Sequence, residues 1–166
     1  MPKGFEIERK FKIAMPNVGE LLAMEGAEST DIVQTYLLCE EGVTSRVRRR
    51  EGRGGVRYTA TEKRRITAVT AVENERELSG EEYRALLETA DPALTPVEKR
   101  RITVPYGGYL LEVDIYPFWQ NTAILEIELP SEDAAFTLPP AIRVIEEVTA
   151  DYRYKNVSLA RKIPEE

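Results

Sequence analysis

Histidine is absent from all 166 residues, which removes imidazole general bases, His-dependent triads and histidine-bearing zinc sites in one step. Any catalysis must use carboxylates, lysine, arginine, tyrosine or a hard cation. The single cysteine, Cys39, can form no internal disulfide. No apolar run approaches the ~20 residues needed to cross a bilayer, and the N-terminus lacks the apolar stretch of a signal peptide, so the expected compartment is the cytoplasm. A Walker-type glycine-rich loop, a low-complexity segment and a linker are also missing. With 42% hydrophobic and 31% charged residues, the chain has the composition and length of one self-sufficient domain over residues 1–166. A net charge of −6 argues against a broad nucleic-acid surface, and neither nucleic acid nor membrane is expected as a partner. That total hides local basic runs such as "RVRRR" and "KRR".

What is present is alternation. Residues 5–13 place Phe5, Ile7, Phe11 and Ile13 opposite Glu6, Glu8, Lys10 and Lys12, with Arg9 the exception on the apolar side; this is strand periodicity. A short helix is expected near residues 17–25. Further strands are expected in "IVQTYLLCE", "TSRVRRR", "VRYTATEKR", "TAVENEREL", "VEKRRITVP", "YLLEVDIYP" and "TAILEIELP". Glycines in "EGRGG" and at Gly107-Gly108 suit hairpin turns. "SGEEYRALLETA" changes period: Ser79 and Glu82 form a capping box, and Tyr83, Leu86 and Leu87 share one helical face. "SEDAAF" suggests a helical turn or two, and the tail from about Thr149 to Lys162 reads as helical. Roughly eight strands and a few helices exceed what a βαβ alternation supplies, giving an α+β class.

Charges recur two apart within these strands. Beside Glu6, Glu8 and Lys10 stand Arg46/Arg48, Glu75/Glu77, Lys99/Arg101, Glu112/Asp114 and Glu126/Glu128, with Lys63 as a further cation. Side chains at i and i+2 share one face of a sheet, so each pair projects two charges to the same side. One such pair describes a solvated outer face; six of them fit an antiparallel barrel whose apolar face lies outward under helices and whose lumen is charged. A lumen lined with both signs must be wet and must hold a highly charged ligand. Arginine and lysine pairs suit phosphate oxygens, while carboxylate pairs suit hard cations such as Mg2+ or Mn2+ that bridge to phosphate. Together they describe a phosphoryl-transfer site. Trp119 and Phe118 read as packing, Cys39 as a small strand residue, and of Arg49, Arg50, Arg64 and Arg65 about half should face outward by alternation.

Glu6-x-Glu8-x-Lys10, "QTYL", Arg46-Val-Arg48, "YTATEK", "EKRR", "LEVDIY", "LEIEL" and "EEVTADYRYKN" occur in this order along the chain. This series resembles the CYTH superfamily, the triphosphate tunnel metalloenzymes. The resemblance implies an eight-stranded antiparallel β-barrel forming a tunnel with flanking helices, in which a divalent cation assists hydrolysis of a linear triphosphate, most simply inorganic triphosphate. By position, Glu6, Glu8, Glu126, Glu128 and Asp114 correspond to metal-site carboxylates, with Glu6, Glu8, Lys10 and Asp114 as catalytic candidates. Lys10, Arg46, Arg48, Lys63, Lys99 and Arg101 correspond to phosphate-binding cations, with Tyr36 beside them in the inward "QxYL" block. Departures are Glu73-x-Glu75-x-Glu77, where the family often has Arg-x-Glu-x-Glu, and Glu62 where an aliphatic residue is common. Thiamine- or nucleoside-triphosphate hydrolysis, adenylate cyclase activity of the class IV type, and polyphosphate or nucleotide binding without turnover stay open as alternatives. Exposed apolar barrel faces are compatible with a homodimer, which nothing in the sequence specifies.

Overall fold

The computed structural model describes residues 5–166. Eight antiparallel strands close on themselves: β1 (Phe5–Ala14), β2 (Glu28–Tyr36), β3 (Val43–Gly52), β4 (Gly55–Arg65), β5 (Thr70–Leu78), β6 (Val97–Tyr106), β7 (Tyr109–Ile115) and β8 (Thr122–Glu128). Their order around the barrel is β5-β4-β3-β2-β6-β7-β8-β1, and pairing of β5 with β1 completes the ring. The closing seam is short. Only Phe5, Glu6 and Ile7 pair with β5, opposite Val72, Ala71 and Thr70, after which the same edge of β1 turns to a ninth strand, β9 (Val144–Glu147), at Phe11–Ile13.

Alternation sets the two faces. On β1, β6, β7 and β8 the outward residues, including Phe11, Ile13, Ile102, Val104, Leu111, Val113, Leu125 and Ile127, form the largest core, which lies outside the barrel wall. A short helix α1 (Val18–Leu22), capped by Asn17, contributes Leu21 to this core, and the loop after β8 contributes Phe136, Leu138 and Ile142. An extended loop therefore does most of the covering that helices were expected to do. Arg9, the exception in the alternation, fits here because its guanidinium lies over the rings of Phe11 and Phe136 and pairs with Glu147 at 2.6 Å. The opposite wall is covered by α2 (Gly80–Leu87), whose capping box is formed as expected, with the Glu82 amide donating to Ser79 Oγ and the Ser79 amide donating to Glu82 Oε1. Tyr83, Leu86 and Leu87 pack there on Val47 and Tyr58.

One hairpin shows why glycine is needed. Tyr106 pairs with Tyr109, leaving Gly107 and Gly108 as a two-residue loop with φ of 60° and 88°, the left-handed pair required by the turn that follows strand twist. The tail is less helical than its pattern suggests: a 3-10 turn (Tyr152–Tyr154) and α3 (Asn156–Leu159). It enters one end of the barrel. Tyr154, Leu159 and Ala160 pack there against the inward residues Tyr36, Val97, Tyr116 and Ile124, with Trp119 alongside, so Trp119 and Phe118 are packing residues. Among the described residues no helix is long and apolar enough to cross a membrane.

Candidate active site in the barrel lumen

The strand faces that point inward meet in a cavity of about 300 Å³. Even positions on β1, β3 and β8 and odd positions on β4 and β5 line it, as alternation requires. β1 supplies Glu6, Glu8 and Lys10; β2 Tyr36; β3 Arg46, Arg48 and Arg50; β4 Lys63 and Arg65; β5 Glu73 and Glu75; β6 Arg101; β7 Glu112; and β8 Glu126 and Glu128. Lys155 and Asn156 close the tail end. Carboxylates concentrate on the arc β7-β8-β1-β5 and arginines on β3, β4 and β6, so the lumen has an acidic and a basic side.

The acidic side is held under repulsion. Glu8 stands opposite Glu128 in the β1–β8 register, and Glu126 opposite Glu112 between β8 and β7. Directly opposed like charges in a sheet destabilise it unless a cation lies between them. Burial, reinforced by the neighbouring carboxylates, pushes the Glu8 and Glu128 carboxyls up to about 7. Burial raises Glu6 and Glu112 as well. Glu126 goes the other way: burial alone would raise it, but Lys10, 3.3 Å away, together with Arg101 and Lys99, brings it down to about 2.

Several cations are already engaged. Lys63 donates to Glu6 at 2.8 Å and lies 3.4 Å from Glu73; Arg101 pairs with Glu112 at 2.7 Å; Lys10 donates to the Tyr154 carbonyl at 3.0 Å. Arg46 and Arg48 differ, because neither has a carboxylate within salt-bridge distance among the described residues. Arg48 Nε donates to Gln34 Oε1 at 2.9 Å, and Gln34 in turn donates to the Tyr36 hydroxyl at 2.8 Å. Arg46 Nε is buried without an acceptor. Burial and the adjacent arginines push Arg48 down to about 9, the response of a guanidinium that lacks an anion.

Two expected site residues lie elsewhere. Asp114 and Lys99 do not line the cavity; their side chains are fully buried beneath it, 2.7 Å apart. Arg101 adds a two-pronged contact, Nε to Asp114 Oδ1 at 2.7 Å and Nη2 to Oδ2 at 2.9 Å. The three cationic contacts hold the Asp114 carboxyl well below its ordinary range against the upward push of burial. Lys99 is pushed down to about 7, mainly by burial. In this position Asp114 holds Arg101 by both of its oxygens, and Lys99 reaches Asn156 Oδ1 at 3.4 Å, not the cavity. The tail covers this deeper level, and Tyr116 donates to the same Asn156 oxygen at 2.6 Å. Glu112 and Glu75 entered the sequence reading only as ladder members of the charged lumen, without an assigned role, and Arg50, Arg65, Glu73 and Lys155 were not among the expected site residues. Arg50, Arg65 and Glu73 share parity with recognised lumen positions, so strand alternation could have found them; Lys155 gave no such signal.

Among the described residues no three carboxylates converge into a ready-made cation cage. The donor set still suits a small hard cation, which commonly takes one or two carboxylates and completes its shell with water and phosphate oxygens. Glu8 with Glu128 offers such a pair with no cation bridging it, and its mutual repulsion is the observation that a bound cation would relieve; Glu126 and Glu112 already share Arg101, at 3.6 and 2.7 Å.

No family model matches the chain. Two relatives do. A protein of Nitrosomonas europaea named inorganic triphosphatase is 35% identical over 169 residues, covering 96% of this chain and 99% of the relative. A second of that name, from Acetivibrio thermocellus, is 31% identical over 160 residues, covering 95% of this chain and 94% of the relative. A crystal structure of an inorganic triphosphatase superposes with a TM-score of 0.58 at 30% identity, covering 96% of this chain and 97% of that one. The same closed barrel and near end-to-end similarity place all of these together, and the chain belongs to the inorganic triphosphatases of the CYTH, or triphosphate tunnel, superfamily.

Proposed function

We propose that this protein hydrolyses a linear triphosphate, inorganic triphosphate, to diphosphate and orthophosphate with the help of Mg2+ or Mn2+. The observation that carries the reading is the pairing of an Arg46/Arg48 couple, which makes no salt bridge among the described residues, with a carboxylate wall inside one cavity. Eight cations (Lys10, Arg46, Arg48, Arg50, Lys63, Arg65, Arg101, Lys155) face seven carboxylates (Glu6, Glu8, Glu73, Glu75, Glu112, Glu126, Glu128). The formal excess of one positive charge, enlarged by the protons that Glu8 and Glu128 keep near pH 7, still falls short of a triphosphate's charge, which gives divalent cations a part in the balance. A simple anion binder would have no use for the acidic side. Tyr36 is the one aromatic residue among those lining the cavity, which leaves no stacking platform for an adenine or thiamine ring.

Arg46 and Arg48 would grip phosphoryl oxygens through forked donors, with Lys10, Lys63 and Arg101 neutralising charge that grows as the anhydride bond breaks. Tyr36 can donate its hydroxyl proton while accepting from Gln34. Asp114 would act through Arg101, fixing the plane of its guanidinium. Glu8, Glu128, Glu126 and Glu6 would hold the cation, which when bound supplies Lewis-acid polarisation and lowers the pKa of water. With histidine absent, a lumen carboxylate that is free of the cation would accept the proton of the attacking water.

Phosphate release from inorganic triphosphate, ATP and thiamine triphosphate, each with Mg2+, Mn2+ or chelator, tests this directly, alongside an assay for cyclic AMP. Cation-dependent release from inorganic triphosphate in preference to the others is expected. No release from any of them would leave a binding module.

A further inference from the structure

Gln34 is fully buried on β2, flanked in the barrel register by Arg48 of β3 and Val97 of β6. It does not line the cavity, although Tyr36 and Arg48 beside it do. A buried amide is costly unless its donors and acceptors are met, so a glutamine at this depth needs partners. Both ends of the amide have one: Arg48 Nε donates to Oε1 at 2.9 Å, and Nε2 donates to the Tyr36 hydroxyl at 2.8 Å. The direction of this chain is compelled. A guanidinium can only donate, so the atom that faces Arg48 must be the amide oxygen, and the amide nitrogen must then face Tyr36.

Two consequences reach the lumen. With Nε tied back to β2, the Arg48 guanidinium is held by one edge, and its two Nη groups make no hydrogen bond among the described residues, which leaves them as a fork for a ligand. Tyr36 already accepts from Gln34 and stands opposite Arg46, a second group that only donates, so no acceptor among the described residues takes the phenolic proton. That proton remains for an anion in the cavity.

We propose that Gln34 is a positioning residue for triphosphate hydrolysis, acting through Arg48 and Tyr36 without touching the substrate. The proposal rests on the reading of Arg48 as a phosphate grip. A neutral amide accepts on one side and donates on the other, which keeps the remaining donors of both partners for the ligand. An apolar side chain in its place would let the guanidinium turn. A carboxylate would pair with Arg48 and draw the Tyr36 proton to itself, so that both groups would be satisfied by the protein instead of by the anion.

The test uses the full-length protein with Gln34→Met, which keeps the length and removes both bonds, and Gln34→Glu, which keeps the size and reverses the bond to Tyr36. Tyr36→Phe is made alone and together with Gln34→Met. kcat and KM for inorganic triphosphate with Mg2+ are measured beside thermal stability. kcat/KM should fall on the order of 10-fold in Gln34→Met and on the order of 10²-fold in Gln34→Glu, where the grip is neutralised as well as the hydroxyl reversed. Tyr36→Phe should cost on the order of 10-fold by itself but less than about 3-fold beside Gln34→Met, because the two residues act as one unit. Losses that add in the double variant, activity that follows thermal stability across the set, or Gln34→Glu at least as active as Gln34→Met overturns the proposal. A second measurement needs neither turnover nor a folded Gln34 variant. The 15N-labelled wild-type protein should show a slowly exchanging Arg48 Nε–H resonance, identified by its loss in Arg48→Lys. A rapidly exchanging Nε–H overturns the lock even in an active enzyme, whereas a protected one in a protein that hydrolyses no triphosphate upholds the lock and removes the catalytic reading instead.

Discussion

Glu112 and Asp114 are successive inward residues of one strand, opposite Thr103 and Arg101 respectively, yet they live in different solvents. Glu112 faces the cavity and Arg101, while Asp114 is sealed between Lys99 and Arg101 under the C-terminal tail. Arg101 and Lys99 repeat the contrast on β6. A strand pattern specifies the face, but the depth at which wet lumen gives way to dry floor is decided by what fills the far end. In this barrel that is a segment arriving from beyond β9. The upper level keeps charges available for a ligand; the lower level uses the same residue types to hold Arg101 in place.

Removing the floor should have the largest effect. Asp114→Ala leaves Lys99 and Arg101 without their shared anion, and a loss of about 3–5 kcal/mol in urea denaturation is expected, with Glu112→Gln changing stability by less than about 1 kcal/mol. Equal effects of the two would erase the distinction between the levels. Next, Glu8→Gln should lower kcat on the order of 10²-fold or more while the protein stays folded, because the loss falls on transition-state charge and not on packing; near-normal turnover would remove Glu8 from the site. Arg46→Gln should reduce kcat/KM by about 10- to 100-fold through loss of a charge-assisted grip, and an equal loss in Arg49→Gln, on the outer face of the same strand, would contradict the assignment of faces.

The smallest effect concerns pH. Glu8 and Glu128 are raised in the folded protein to about 7 from an ordinary 4.5, so the folded state keeps protons that the unfolded chain has released. Their contribution is fully present below the unfolded value and is lost as pH rises through the folded value. In chelator, thermal stability should therefore decline between about pH 4.5 and 7.5, and Mg2+ or Mn2+ should flatten that decline. Asp114 and Glu126 are depressed instead; their contributions persist at neutral pH and disappear only in strong acid, Glu126 as pH falls through about 2. A chelator profile that is flat over the upper window would mean that the two glutamates do not repel as their register implies.

Much of this was legible in the chain because alternation is a local signal. Seven barrel strands lie close to where alternation puts them, while the second, expected over residues 32–40, runs Glu28–Tyr36 and leaves Cys39 outside it; the charge ladders pointed to the lumen before any topology was known. Parity also settles the arginines, with Arg50 and Arg65 inward and Arg49 and Arg64 on the outer side. Strand β9 escaped notice because its four residues are all exposed and have no apolar alternation to announce them. The tail is less helical than its pattern predicts, since the contacts of Tyr154 and Leu159 inside the barrel, and not helical propensity, determine its path. The depth of Lys99 and Asp114 below the cavity was hidden for the same reason: nothing within their own strands records the tail that covers them.

The brevity of the β1–β5 seam has a consequence for how the protein is made. Strand β1 is synthesised first, yet Glu8 pairs with Glu128 and Glu6 lies opposite Ala71, so the strand carrying Glu6, Glu8 and Lys10 cannot settle until β8 exists. Meanwhile β3, β4 and β5 can zip together through sequential hairpins with short-range contacts. A nascent chain ending before β8 would hold its basic wall in register and its acidic wall undone, and the capacity for chemistry would arrive in a single late step as the first strand is captured by the last of the barrel.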